Sequence, residues 1–195
     1  MRILQMTDSR STAGALAQIF FDPEGATVYK LFKSRHHPGN ISQFRTEPYV
    51  DLIGRGTFIA ESEAYEILGG DADLEAHAPK YHGRVTVEDV IDENGVSVAN
   101  HYLLDCCYCL DRIVGRDVKR TSLTDEACSA VGAIESSFHA AGIAYTLDAS
   151  FFNSEQPDKI LMIDFATRDV AQVIEDDICQ CGEVTEGTHR LLKLQ

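Results

Sequence analysis

The chain has 195 residues, 44% of them hydrophobic, which supplies one sizeable core and argues against wholesale disorder. Its 31 acidic residues outnumber 17 basic ones, and the formal net charge of -14 repels phosphate, excluding nonspecific binding to nucleic acid or to an anionic membrane. No run of about 18 apolar residues occurs and Met1–Met6 lacks the apolar core of a signal peptide, so a soluble, cytoplasmic protein without a membrane partner is expected.

In chain order, the first third reads as strands and turns. Met1–Met6, Leu16–Phe21 and Thr27–Phe32 are strand candidates, and the turn Asp22-Pro-Glu-Gly25 folds the last two into a hairpin. After a polar stretch from Ser34 to Glu47, Ile59–Leu68 reads as a helix stopped by Gly69-Gly70. Apolar runs at Tyr81–Val90 and Val96–Cys107 flank Asp92-Glu-Asn-Gly95, a hairpin signal. Ser122-x-x-Asp125 resembles a capping box, and Ala127, Val131, Ile134, Phe138 and Ala141 then recur at helical spacing up to Gly142. A short strand at Ile143–Leu147, the pair Phe151-Phe152, a turn at Gln156-Pro-Asp158 and the apolar Ile160–Ile163 follow, before an acidic, partly helical tail. The order is β-rich, then α-rich, with the boundary expected within Asp105–Leu110: an N-terminal unit of residues 1–107 and a C-terminal one of 108–195.

Cys106, Cys107, Cys109, Cys128, Cys179 and Cys181 have neither the context of a disulfide framework nor the spacing of common zinc knuckles. They are read as reduced thiols, with Cys106 and Cys107 continuing a buried strand.

The residues that carry chemistry lie late in the chain. Asp148-Ala-Ser-Phe-Phe-Asn153 has the Asp-x-x-x-x-Asn spacing of a kinase catalytic loop, and Asp164-Phe165 follows an apolar strand eleven residues after Asn153. Upstream stand a strand lysine, Lys30, and a helix glutamate, Glu61, which has Ala64, Tyr65 and Leu68 at helical spacing behind it. Each has a plainer reading alone: Lys30 as a solvated charge, Asp148 and Asn153 as turn formers, Asp164 as a cap. Their joint order is less easily explained that way.

On these motifs the chain, from about Ala13 to Thr167, resembles the protein-kinase-like superfamily in its reduced bacterial form, as in the YrbL family, short effector kinases and, more distantly, the aminoglycoside phosphotransferases. The resemblance implies an α+β, two-lobed fold with an antiparallel β-rich N-lobe and a reduced, mainly helical C-lobe. It implies ATP and Mg2+ as cofactors and a protein substrate bearing a serine or threonine hydroxyl. Lys30 would contact the nucleotide phosphates and Glu61 would pair with it, Glu63 being second choice. Asp148 would accept the substrate proton, and Asn153 and Asp164 would ligate Mg2+. The loop Thr12–Ile19 would cover the phosphates, with Gly14 and Ala17 against the nucleotide, and Asp105 would meet it at the lobe boundary.

Departures are visible too: Thr146-Leu147 stands where His-Arg is usual, Ser150 where Lys is common, and Ala166 in place of Gly. No Ala-Pro-Glu motif follows, so control by activation-loop phosphorylation is not expected and the substrate platform is reduced. The alternatives are a small-molecule kinase of the aminoglycoside type and a pseudokinase or regulatory binding module. A start so close to the first strand argues against delivery into a host cell.

Overall fold

The computed structural model describes residues 2–8, 16–39, 49–118, 123–144, 150–154 and 160–178. Strand β1 (Arg2–Gln5) is followed by the hairpin of β2 (Ala17–Phe21) and β3 (Thr27–Lys33). Gly25 closes this turn at φ +77°, a left-handed conformation that suits a residue without Cβ, and its amide donates to the Asp22 carbonyl.

Helix α1 (Tyr49–Leu68) begins ten residues before the expected start at Ile59. Gly54 and Gly56 weaken the helical signal there, yet close packing favours both. A Cβ on Gly54 would lie 3.0 Å from Leu103 Cδ1, and one on Gly56 would lie 3.0 Å from Val170 Cγ1. Tertiary contact thus outweighs local propensity. A single turn, α2 (Ala72–Glu75), follows, capped by the Asp71 carboxylate.

The strand expected at Tyr81–Val90 is divided into β4 (Tyr81–Arg84) and β5 (Val87–Ile91). The expected turn at Asp92–Gly95 is present, with the Gly95 amide donating to the Asp92 carbonyl. The strand expected at Val96–Cys107 is shifted. An isolated Ile91–Ser97 bridge and a 3-10 turn at Ala99–His101 precede β6 (Tyr102–Asp111). The boundary anticipated between residues 107 and 108 therefore falls in mid-strand, and the sheet continues to Asp111.

These strands form a four-stranded antiparallel sheet in the order β2-β3-β6-β4, while β1 pairs in parallel with β5. Alternation along the strands divides the side chains between two clusters. Tyr29, Leu31, Cys107 and Cys109 pack with Leu4, Val87 and Val90, whereas Phe32, Cys106, Tyr108 and Leu110 pack with Phe58, Tyr65 and Leu68 of α1. The buried cysteines fill strand positions, as the apolar run implied, and among the described residues Cys106, Cys107, Cys109 and Cys128 are free; Cys179 and Cys181 lie outside them.

Beyond Asp111 come β7 (Gly115–Val118), which was not anticipated, and α3 (Asp125–Ala140). Thr124 caps α3 by accepting from the Ala127 amide; Ser122 lies outside the described residues. Strands β8 (Ser150–Ser154) and β9 (Ile160–Ile163) complete a sheet in the order β7-β8-β9. Of the strand expected at Ile143–Leu147, residues 143–144 are not in a strand and residues 145–147 lie outside the described residues. Helix α4 (Val170–Val173) runs into a wide helical turn at Ile174–Ile178 that packs on α1. The protein is thus of mixed α+β class. Among the described residues no helix is long and apolar enough to cross a membrane.

Candidate functional site

Three elements distant in sequence bring charge to one point. Lys30 sits on β3 directly opposite Tyr108 of β6 and faces α1. Its Nζ lies 3.0 Å from Glu61 Oε1, 2.9 Å from Glu61 Oε2 and 2.6 Å from Asp164 Oδ1. The Tyr108 hydroxyl donates to Glu61 Oε2 at 2.6 Å. Glu61 is buried on α1, while the Asp164 side chain is 42% exposed and so open to a ligand.

Asp164 directly follows β9 with φ +59°, the one non-glycine residue at positive φ among the described residues. Such a conformation costs free energy and persists where neighbours hold it. Phe165 does this here: it is fully buried, with ring centroids 4.7 Å from Tyr65 and 5.3 Å from Phe138. The Thr167 amide also donates to the Ala60 carbonyl, tying the segment to α1.

Burial alone would push the Lys30 ammonium down, but the Asp164 and Glu61 carboxylates outweigh it and raise its pKa. Burial raises the Glu61 carboxyl, opposed by Lys30 and by the hydrogen bond from Tyr108. Burial and then the Glu61 charge hold the Tyr108 phenol well above its ordinary range, so it remains a donor. Lys30 stays charged, and two carboxylates share its single cation.

An apolar slot leads to this cluster. Ile19, Phe21 and Val28 form one wall, Leu110 and Ile163 line it further, and Asp111–Ile113 border it after β6. Lys30 and Asp164 lie in the same cleft, which therefore combines apolar surface with a few charged groups, as small-molecule pockets commonly do. Arg112 spans the rim with its guanidinium 4.9 Å from the Phe21 ring centroid.

Of the expected site residues, the structure brings together Lys30, Glu61 and Asp164. Glu63, the second choice for the lysine's partner, instead receives Arg168 at 2.9 Å and the Thr167 hydroxyl at 2.9 Å. Ala17 does not line the cleft: it pairs with Phe32 and is buried in the core. Asp105 is also displaced, because β6 runs six residues beyond it; its carboxylate binds Arg55 of α1 at 2.5 Å. Residues 111–113, and not Asp105, line the cleft. Gly14 and Asp148 lie outside the described residues.

Asn153 is the clearest correction. Its spacing suggested a loop beside Asp164, but it lies in β8 opposite Ile160, whereas Ser150 is opposite Ile163. Along the hairpin, the backbone of Asn153 is about 13 Å from the level of Asp164. Among the described residues no three His, Cys, Asp or Glu side chains gather as a metal site. Asp164 alone still suits Mg2+, which is commonly held by one or two carboxylates together with substrate phosphates.

Tyr108 and the segment Asp111–Ile113 were not singled out from sequence. The alternation Cys106, Tyr108, Leu110 carries the signal, but only the β3–β6 register places Tyr108 against Lys30. No family model matches the sequence, and no curated protein matches it.

Proposed function

We propose that this chain is an ATP-dependent phosphotransferase of two-lobed, protein-kinase-like fold that acts in the cytoplasm on a protein hydroxyl. The observation that carries this reading is the bridge from Lys30 to Glu61 and Asp164, at the end of an apolar slot. In such a site the slot takes the nucleobase, Lys30 holds phosphate oxygens, and Glu61 keeps the ammonium facing them. Asp164 would hold Mg2+, which supplies charge neutralisation to the transferring phosphoryl group. The bond from the γ-phosphorus to the ADP oxygen breaks, a bond to the substrate hydroxyl oxygen forms, and the hydroxyl proton passes to Asp148, the base expected from the sequence motif.

The test is transfer of label from γ-labelled Mg-ATP, by the full chain, to itself or to proteins of a cell extract. Label on serine or threonine is expected; label on a sugar or aminocyclitol instead would favour the small-molecule alternative. The β8–β9 register favours a second reading, a nucleotide-binding regulatory module, because Asn153 pairs with Ile160 within a strand rather than standing in a loop. Its signature is Mg-ATP binding without transfer, together with unchanged biological function in Asp148→Ala.

A further inference from the structure

Tyr108 is buried in a group of rings, with centroids 5.6 Å from Tyr65, 6.1 Å from Tyr81 and 6.3 Å from Phe58. Packing alone would be served by a phenylalanine. The hydroxyl adds a specific contact, donating at 2.6 Å to Glu61 Oε2, while Lys30 is 2.9 Å from that oxygen and 3.0 Å from Oε1. Tyr108 and Lys30 are also cross-strand partners, with Nζ 5.9 Å from the Tyr108 ring centroid.

We propose that Tyr108 is a positioning residue that fixes the Glu61 carboxylate, and through it holds Lys30 towards the phosphates of a bound nucleotide. The inference rests on the nucleotide reading of the site. Lys30 has two competing carboxylates, and Asp164 makes the shorter contact at 2.6 Å. A buried carboxylate needs its remaining lone pairs satisfied, and a phenol donor to a charged acceptor is among the stronger hydrogen bonds. With that donor removed, Glu61 is less well held and Lys30 moves its allegiance to Asp164, away from the position between the two. The slot that takes the base is lined by Ile19, Val28 and Leu110 together with Tyr108, whose ring is retained in Tyr108→Phe.

The experiment measures the affinities of wild type and Tyr108→Phe for adenosine and for Mg-ATP by calorimetry, with both variants also in a Glu61→Ala background. The expected result is Mg-ATP binding about tenfold weaker in Tyr108→Phe with adenosine binding unchanged. In the Glu61→Ala background the substitution should have no further effect, since the two act as a unit. Equal loss for adenosine and Mg-ATP, or no loss for either, overturns the Tyr108 role while wild-type ATP binding stands. Wild type with no preference for Mg-ATP over adenosine overturns the nucleotide-phosphate reading itself, and this inference with it. Tyr108→Phe keeps the ring, and a single cooperative melt with an unchanged circular dichroism spectrum verifies that the fold is intact, even where loss of the hydrogen bond lowers the melting temperature.

Discussion

Strand β3 carries two lysines three residues apart, both nearly removed from solvent, and the molecule treats them in opposite ways. Lys30 meets Glu61 and Asp164, and its ammonium is held charged despite its burial. Lys33 is 4% exposed at the C-terminal end of the strand, and burial pushes its ammonium down. Beside it, His37 is shifted down to about 4, by burial first and then by the charges of Lys33 and His101. Desolvation acts on both lysines, so the carboxylates brought in by α1 and by the turn after β9 account for the difference. On the proposed function, the Lys30 end of the strand is the one that takes phosphate and metal.

The sharpest way to break this comparison is at Asp164. Asp164→Asn keeps a residue tolerant of positive φ and removes the charge, so Mg-dependent transfer should fall at least about 100-fold. Full activity in a transfer assay would remove Asp164 from the chemistry. Next is the pair of lysines themselves: Lys30→Met should weaken Mg-ATP binding by about 10-fold or more, and Lys33→Met should leave it unchanged.

The two glutamates of α1 give a smaller contrast. Glu61→Ala should reduce transfer by roughly tenfold with a modest change in melting temperature. Glu63→Ala removes the partly exposed partner of Arg168, with side chains 32% and 29% exposed, and should cost about 1 kcal/mol or less of stability with transfer retained. Denaturant titration and transfer assays on both variants check this.

A contrast in stability rather than in transfer concerns pH at the Lys33 end. His37 resists protonation in the folded state, so the folded protein binds fewer protons than the unfolded chain between its ordinary 6.5 and about 4. This contribution to stability is therefore present above pH 6.5 and is lost as pH falls towards 4. The groups facing His37 are Lys33, His101, the Tyr102 hydroxyl and the Gln18 carbonyl oxygen. His37→Phe should flatten the fall in melting temperature over that window; an identical pH profile would show that His37 does not contribute.

Lys30, Glu61 and Asp164 were legible because each belongs to an element whose period announces which side is buried: a strand, a helix and an apolar run. The partners across strands were not, since register is set by contacts far away in sequence. Asp105 and Ala17 were misplaced for that reason, and Tyr108 was passed over. Asn153 shows a different limit. Its spacing from Asp148 fits a loop, but Phe151 and Phe152 favour a strand, and pairing with β9 draws Asn153 away from Asp164. The first half of α1 was hidden by two glycines whose purpose, close approach to Leu103 and Val170, exists only in the folded protein.

The most direct measurement of the central claim is calorimetric binding of Mg-ATP to wild type, Lys30→Met and Lys33→Met. The account predicts saturable binding that Lys30→Met weakens by about 10-fold or more and Lys33→Met preserves. Equal binding by all three, or binding lost only with Lys33, would contradict it.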